Sequence, residues 1–520
     1  MICYSYGLKG GLMQEGIWAL LNEKERAILN ECNEIMLDFT SLHTESIVFV
    51  NPHCVVIGYG ELTDDFLALC IQKEHRLKLE MAHLLPQDFI SLRGHLGDFT
   101  LTFKNTQGNA ESLKTSQVVS FAPLEHLSNY KGVHTPDMYE SADSMLEALL
   151  SLCGEHTYSH HIILNPQYCQ YQGRRPLSNG ECVCGHCVDI CPTMGISSNA
   201  KSTLLELSAI DCIACGKCVS VCPTGSLERE GDGFISFTER ARLYKGFIPL
   251  IVAQKDIEKI DFVNDFQQLR KHNPLILPFI LQGPNMLNIT YLLSLLQECS
   301  APIILYSPLG EHIFKDIESL NTIYERIFAK VAIYDFATLQ APNTLQPIAH
   351  THYIYTPTEN ESSKNIFSER LHFWVKQESY GEVALRNCAT LKIDSKHCTL
   401  CLSCVEACNT NALMNNNASF ELLYKPSLCT DCGYCVASCA ENVLHLQSHT
   451  FNLAAQSFEY NVIASDEPFR CVECNKIFAT QKSIEKIKQI LAPAFSADSS
   501  KLRSLECCAD CKVKVMFGGV

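Results

Sequence analysis

The sequence predicts a multidomain protein of mixed α/β and α+β class. Its 520 residues exceed what one hydrophobic core usually supports, so several domains are expected. Cysteine is unusually abundant, at 29 residues, and most of these lie in short-spaced groups. Between residues 245 and 345, short β-branched runs alternate with amphipathic stretches, which is typical of a parallel α/β unit.

Charge and hydropathy narrow the classes of partner. The net charge of −16 argues against nucleic acid and anionic membranes, and suits a basic patch on a redox protein. The longest apolar stretch, 289–306, is interrupted by Gln297, Glu298 and Pro302, so no membrane span is expected. No secretory leader is visible, so we expect a cytoplasmic protein, in which grouped thiols bind metal rather than form disulfides.

Four cysteine groups form an internal repeat. The first two groups recur 217 positions later, as Cys401 follows Cys184 and Cys439 follows Cys222. Each two-group unit contains an alternating apolar piece, S-T-L-L-E-L or S-F-E-L-L-Y, which predicts a short β-hairpin. The groups are Cys184, Cys187, Cys191; Cys212, Cys215, Cys218, Cys222; Cys398, Cys401, Cys404, Cys408; and Cys429, Cys432, Cys435, Cys439.

The spacing C-x2-C-x2-C-x3-C favours iron–sulfur clusters over zinc. A cubane cluster needs one soft thiolate on each of four irons, and three cysteines two residues apart fit one tight loop around it. The fourth thiolate must come from elsewhere in the fold. Zinc is usually held by two separate C-x2-C pairs, which leaves a third cysteine in the triplet without a purpose.

Residues 180–230 and 396–446 each resemble a bacterial-type 2[4Fe–4S] ferredoxin domain. The resemblance implies two ferredoxin-like dicluster modules carrying about four [4Fe–4S] clusters, in which the last cysteine of each motif ligates the other cluster. The implied ligand sets are Cys212, Cys215, Cys218 with Cys191; Cys184, Cys187 with Cys222; Cys398, Cys401, Cys404 with Cys439; and Cys429, Cys432, Cys435 with Cys408.

The first motif departs from the family pattern, because Glu181 stands where its first cysteine is expected. Cys182 is adjacent, but a C-x-C pair with Cys184 forces two thiolates into a cramped loop. Cys169 lies in Y-C-Q-Y-Q-G-R-R-P, a segment that can return over the cluster and bring Arg174 and its neighbouring arginine close to the cluster's negative charge. We therefore favour Cys169 over Cys182, while a three-iron cluster or a carboxylate ligand remains open.

The two modules also differ after the fourth cysteine. The first module keeps the family's proline, as Pro192 and Pro223, whereas the second has Asn409 and Ala440. Because hydrogen bonds to sulfur and solvent exposure tune cluster reduction potentials, this difference predicts that the clusters of the two modules have different reduction potentials.

The C-terminal tail predicts a separate four-cysteine metal site. A zinc-ribbon-like site is favoured over a fifth iron–sulfur cluster, because the triplet spacing is absent here. Residues 481–491 between the two cysteine pairs are predicted to be helical, and Cys507 is left as a spare cysteine. The predicted ligands are Cys471 with Cys474, and Cys508 with Cys511.

The remaining segments predict two further domains. P-L-I-V-A-Q, P-L-I-L-P-F-I and A-P-I-I-L-Y-S are expected as parallel strands of a small α/β insert, which we interpret as a docking or spacer domain because no G-x-G-x-x-G run is present. The N-terminal part is mixed α/β, with strands at S-I-V-F-V and F-T-L-T-F-K and a helix over 18–30. The predicted domains are 1–150, 165–230, 245–345, 385–446 and 465–520.

Three histidines, His156, His160 and His161, lie in H-T-Y-S-H-H. They are interpreted as part of a polar loop rather than as metal ligands, because no cysteine or carboxylate pattern surrounds them. The sequence also contains no motif for hydrolysis or phosphoryl transfer.

These observations predict a soluble electron-transfer protein without a catalytic centre of its own. The whole-chain layout is similar to polyferredoxins linked to formate dehydrogenase, which implies a dehydrogenase as redox partner. Two alternatives stay open: an iron–sulfur subunit of a redox enzyme complex, and an assembly or maturation factor whose clusters are structural.

Overall fold

The computed structural model describes residues 16–40, 45–77, 79–124, 130–174, 177, 182, 184–199, 203–348, 351–358 and 361–517. Both parallel and antiparallel sheets are present, so the predicted mixed α/β multidomain class is confirmed. None of the helices in these residues has the length and apolar character needed to cross a bilayer.

The N-terminal part combines a parallel sheet, in the order β3-β2-β7-β8, with an antiparallel sheet β4-β5-β6. The helix predicted over 18–30 begins later, because Asn22 and Glu25 form a reciprocal cap at 3.0 and 2.9 Å that starts it at Glu23. The elements are α1 (Glu23–Asp38), β1 (Glu45–Val50), β2 (His53–Ile57), α2 (Glu61–Leu77), β3 (Glu80–Leu84), β4 (Phe89–Arg93), β5 (Phe99–Lys104), β6 (Ala110–Thr115), β7 (Gln117–Ser120), β8 (Val133–His134), α3 (Ala142–Ser151) and β9 (Gly154–Ser159).

The first module begins and ends with paired strands. Its elements are β10 (Ile162–Leu164), α4 (His186–Asp189), β11 (Ile196–Asn199), β12 (Leu204–Leu207), α5 (Lys217–Val221) and β13 (Leu227–Arg229). Strands β10 and β13 pair antiparallel, so the chain enters and leaves the module at one place. Strands β11 and β12 form the predicted hairpin.

The insert is a parallel sheet in the order β15-β14-β16-β17, flanked by helices. Its elements are α6 (Phe234–Leu243), β14 (Ile248–Ala253), α7 (Ile260–His272), β15 (Ile276–Leu281), α8 (Ile289–Cys299), β16 (Ile303–Leu305), α9 (Glu311–Phe328), β17 (Ile333–Asp335) and, beyond the sheet, α10 (Ser363–Val375). The three predicted strands are confirmed as β14, β15 and β16. Strand β17 was not among the predicted strands.

Doubly wound sheets often bind ligands where the strand order reverses, here between β14 and β16. In this protein the position is filled by internal hydrogen bonds. The Ala253 amide donates to Ser307 Oγ at 2.8 Å, and that hydroxyl donates to Asp256 at 2.8 Å. This arrangement agrees with the absence of a nucleotide-binding motif.

The second module is built on a long antiparallel ribbon. Its elements are β18 (Ser379–Ile393), α11 (Ser403–Glu406), β19 (Leu413–Asn416), β20 (Glu421–Tyr424), α12 (Tyr434–Ala437), β21 (Leu444–Ala454) and β22 (Asn461–Ser465). Strands β18 and β21 pair along most of their length. The predicted hairpin is confirmed as β19 and β20, and β22 adds to its edge.

The tail packs against the second module. It comprises β23 (Pro468–Arg470), β24 (Ile477–Thr480), α13 (Gln481–Leu491), α14 (Ser499–Ser504) and α15 (Ala509–Phe517), so the helix predicted over 481–491 is confirmed. Thr480 Oγ1 donates to the Thr399 carbonyl at 3.1 Å, and Lys486 pairs with Glu441 at 2.7 Å.

One apolar core runs from the first module through the insert to β18 and β21. Within it, Arg370 of α10 and Glu298 of α8 form a fully buried ion pair at 2.7 Å. The insert is therefore packed against both modules through this shared core.

Candidate metal centres

Sixteen cysteines come together in four groups of four, named here sites I to IV. In each group the other members contribute to the raised pKa of two of the thiols, and at sites III and IV all four cysteines also line one cavity. Site I is Cys169, Cys184, Cys187 and Cys222; site II is Cys191, Cys212, Cys215 and Cys218; site III is Cys398, Cys401, Cys404 and Cys439; site IV is Cys408, Cys429, Cys432 and Cys435.

A left-handed residue precedes the second cysteine of the triplet at sites II, III and IV. Ala214, Leu400 and Asp431 have φ of 54°, 52° and 58°. This conformation costs a non-glycine residue roughly 1–2 kcal/mol. In return, the backbone amide of each residue points at the sulfur of the first cysteine, as Asp431 does toward Cys429 at 3.5 Å. The strained turns thus present N–H donors to sulfur.

A second left-handed residue follows the second cysteine in the same three motifs. Gly216, Leu402 and Gly433 have φ of 81°, 61° and 74°. The equivalent residue of the first motif, Gly185, is not left-handed, with φ of −156°. The first motif therefore departs from the others in backbone as well as at position 181, which lies outside the described residues.

The segment that precedes the first motif places Cys169 at site I. Cys169 is buried, and its sulfur accepts a hydrogen bond from the Gln172 amide at 3.4 Å. The pKa of Cys184 and of Cys187 is raised to about 12, chiefly by burial and in part by the neighbouring Cys222 and Cys169 thiols. Cys182, by contrast, is exposed and lies beside Tyr171.

The environment of these thiols favours thiolate bound to a metal over free thiolate. Burial raises the pKa of Cys404 to about 12, and it raises the pKa of Cys218 and Cys435 as well. A buried thiol of this kind stays protonated unless a metal takes the place of its proton. The cavities of sites III and IV are lined by their four cysteines together with apolar residues such as Leu422 and Leu413. Four soft donors in an apolar wall fit a cluster.

Hydroxyl groups lie beside the last cysteine of three motifs. The modules differ in whether a proline follows this cysteine, but in three motifs the structure places the residue after that position, a threonine, close to sulfur. Such contacts are among those that tune a cluster. The Sγ to Oγ1 distance is 3.7 Å for each of the pairs Cys191 with Thr193, Cys222 with Thr224, and Cys408 with Thr410.

Besides the predicted Arg174, two basic side chains that were not predicted lie beside the sites. Lys364 is buried, and its ammonium contacts Cys388 Sγ at 2.9 Å and the Asn387 carbonyl at 2.7 Å. It lowers the pKa of nearby Cys429, although burial raises that pKa overall. Arg229 acts in the same sense on Cys212. Neither residue lies near a motif cysteine with a recognisable spacing, so sequence carried no signal for them.

The tail site is more compact than the other four. The Sγ atoms of its four cysteines, Cys471, Cys474, Cys508 and Cys511, all lie within 4.8 Å of one another. The Cys474 and Cys508 sulfurs are 3.7 Å apart, close to the edge of about 3.8 Å that a tetrahedron with Zn–S of ~2.3 Å requires. No other group of metal-binding side chains in the described ranges is equally compact.

Backbone amides prepare the tail site for thiolate. Although burial opposes the shift, the amides of Cys508, Glu473 and Cys474 lower the pKa of Cys471 to about 6. Cys507 stands outside the group, and its thiol donates to the Arg503 carbonyl at 3.3 Å.

The tail differs from the zinc ribbon expected from its sequence. The first cysteine pair lies in the turn between β23 and β24, as expected. The second pair lies at the start of α15, with Cys511 inside the helix. A C-x2-C pair fits a helical turn as well as a hairpin turn, so spacing alone did not distinguish the two.

The histidines in and after β9 do not belong to a compact group of metal-binding side chains among the described residues. His156 lies in β9 rather than in a loop, and its Nε2 contacts the Leu152 carbonyl at 2.7 Å. His160 Nε2 contacts Ser46 Oγ at 2.9 Å. These two contacts join the histidines to neighbouring protein groups.

Models of known protein families match one segment in each of the two modules. A family model described as a 4Fe-4S dicluster domain matches residues 390–440, and one described as a 4Fe-4S binding domain matches residues 209–228. No curated protein matches the chain. The chain therefore contains 4Fe-4S domains and is an iron–sulfur-cluster-binding protein, which is consistent with electron transfer.

Proposed function

We propose that this protein is an electron-transfer polyferredoxin that holds one [4Fe–4S] cluster at each of sites I to IV and one zinc ion in the tail. The observation that carries the proposal is the grouping of sixteen cysteines into four sets of four, three of which share a left-handed turn that presents a backbone amide to sulfur. We assign Cys169, rather than Cys182, as the fourth ligand of site I.

The bound clusters supply one-electron transfer. The chain's own residues hold them, exclude water with apolar walls and place amide and hydroxyl donors beside sulfur. No further chemistry is required of the protein, so its surface provides specificity. The net charge of −16 suits a redox partner with a basic surface, such as a dehydrogenase in the cytoplasm, and the chain layout favours a formate dehydrogenase.

Metal analysis of the anaerobically purified full chain tests this proposal. We expect about sixteen irons, matching sulfide and about one zinc per chain, with clusters that accept electrons from dithionite. Far less iron with four or more zincs would contradict the ferredoxin assignment. Clusters that form but resist reduction would contradict electron transfer and favour an assembly factor.

The proposed zinc ligands of the tail can be tested separately by comparing substitutions of two neighbouring cysteines. Cys508→Ser is expected to lower zinc content to less than half, because it removes one of four ligands, whereas Cys507→Ser should retain zinc. Iron content should stay the same in both variants. Zinc measured by mass spectrometry after gel filtration checks this, and equal zinc in the two variants would exclude the proposed ligand set.

A further inference from the structure

Residues 168–174, named here the strap, connect the two modules. The strap carries Cys169 of site I, yet three of its hydrogen bonds go to the second module. Gln170 Nε2 donates to Thr430 Oγ1, Arg174 Nη2 donates to the Ala407 carbonyl at 2.9 Å, and Asn409 Nδ2 donates to the Tyr168 carbonyl at 3.4 Å.

These partners surround site IV. Thr430 lies between Cys429 and Cys432, while Ala407 and Asn409 lie on either side of Cys408. The strap therefore contacts both chain segments that supply site IV. It also explains one departure from the family pattern, because proline at position 409 has no side-chain donor for the strap.

The guanidinium group of Arg174 holds this side chain between the strap and the second module. Its guanidinium lies over the Tyr434 ring at 5.0 Å, and Nη2 is bonded to the carbonyl that precedes Cys408. Its Nη1 is buried and has no hydrogen-bond partner among the described residues. A buried guanidinium nitrogen left without an acceptor fits a site that holds a negatively charged sulfur ligand.

Packing links the four sites in one order. In the first module, α4 carries Cys187 of site I and contacts α5, which carries Cys218 of site II; both cysteines belong to one buried core. In the second module, α11 carries Cys404 of site III and contacts α12, which carries Cys435 of site IV; both cysteines belong to a second core. The strap supplies the link between the modules, because it carries Cys169 of site I and bonds to the segments of site IV.

We propose that the strap makes sites I and IV nearest neighbours across the two modules, giving one row in the order II, I, IV, III, and that Arg174 raises the reduction potential of a cluster at this junction. The inference rests on the proposed function, since it requires clusters at the four sites. Its physical reason is that a nearby positive charge stabilises the more negative, reduced state of a cluster.

Replacement of Arg174 tests the role of its charge. In Arg174→Gln, one cluster is expected to become harder to reduce by about tenfold in equilibrium constant, or about 59 mV for a one-electron couple. Arg174→Lys keeps the charge and should retain at least half of that difference. The measurement is an EPR-monitored potentiometric titration of the full chain.

Two control variants distinguish the effect of the Arg174 charge from the effects of losing a strap contact or a distant positive charge. Gln170→Ala removes a strap contact without changing charge, and Lys114→Gln removes one positive charge from an exposed ion pair in the N-terminal part. Neither should move a potential by as much as Arg174→Gln. If Arg174→Gln holds its full iron content and titrates as the wild type does, the proposed role of Arg174 is wrong.

Adjacency is tested with two variants that each keep two clusters in different modules. Loss of sites II and III, by Cys212→Ser, Cys215→Ser, Cys398→Ser and Cys401→Ser, leaves sites I and IV. Loss of sites I and IV, by Cys184→Ser, Cys187→Ser, Cys429→Ser and Cys432→Ser, leaves sites II and III. Each variant should contain about eight irons.

The reduced EPR spectra then distinguish the arrangements. We expect spin–spin broadening when sites I and IV remain, and two independent signals when sites II and III remain. Broadening in the second variant, or its absence in an eight-iron first variant, would overturn the order II, I, IV, III. Absence of clusters in the wild-type chain would instead refute the proposed function itself.

Discussion

Cys169→Ser is expected to convert the cluster at site I to a three-iron form or to remove it, while Cys182→Ser leaves it unchanged. Cys169 is buried beside the Cys184 and Cys187 thiols, whereas Cys182 is exposed. Serine oxygen is a poorer ligand than thiolate for these irons, so the fourth iron is released first. The loss should be between one and four of about sixteen irons.

The measurement is iron content together with EPR of the oxidised protein, in which a three-iron signal marks the incomplete site. Cys182→Ser is the matched control, because it removes a cysteine of the same segment from an exposed position. A three-iron signal in Cys182→Ser, or in neither variant, would show that Cys169 is not the fourth ligand.

Glu298→Ala is expected to destabilise the protein by about 3–5 kcal/mol, the cost typical of breaking a buried ion pair by removing one partner. Glu298 and Arg370 are both fully buried and lie 2.7 Å apart. Removal of the carboxylate leaves the Arg370 guanidinium without its counter-charge in the core that joins the insert to the second module. Thermal and denaturant unfolding, followed anaerobically by circular dichroism, measures the effect.

The control is an exposed pair in the same chain. Lys114 and Asp98 lie 2.5 Å apart, with side chains about two-thirds exposed, at 66% and 61%. Water and salt already screen these charges, so Lys114→Ala should change stability little. Equal unfolding midpoints for Glu298→Ala and Lys114→Ala would show that the buried pair does not hold the insert in place.

Local patterns predicted much of this fold. The hairpins β11–β12 and β19–β20, the strands β14 to β16 and the helix over 481–491 all follow from periodicity within a few residues. The repeated cysteine spacing likewise identified the chain segments that form sites II to IV, because ligand spacing around one cluster is a local property.

Contacts between residues far apart in the chain, and some local backbone conformations, could not be predicted from the sequence. The contacts of Gln170 with Thr430 and of Arg174 with Ala407 join residues more than two hundred positions apart, and no spacing records them. The left-handed turns at Leu400 and Leu402 were also hidden, because leucine rarely adopts that conformation. Lys364 was hidden for a further reason: its position is defined by burial against Cys388, which lies outside every motif.

The strap has a consequence for the order in which the protein matures during synthesis. Residues 168–174 leave the ribosome long before Ala407, Asn409 and Thr430, which are their hydrogen-bond partners. Until the second module has been made and folded, the strap that carries Cys169 lacks these anchors. Site I therefore acquires its complete surroundings only after part of the second module has been made, although three of its four cysteines are translated before those of any other site.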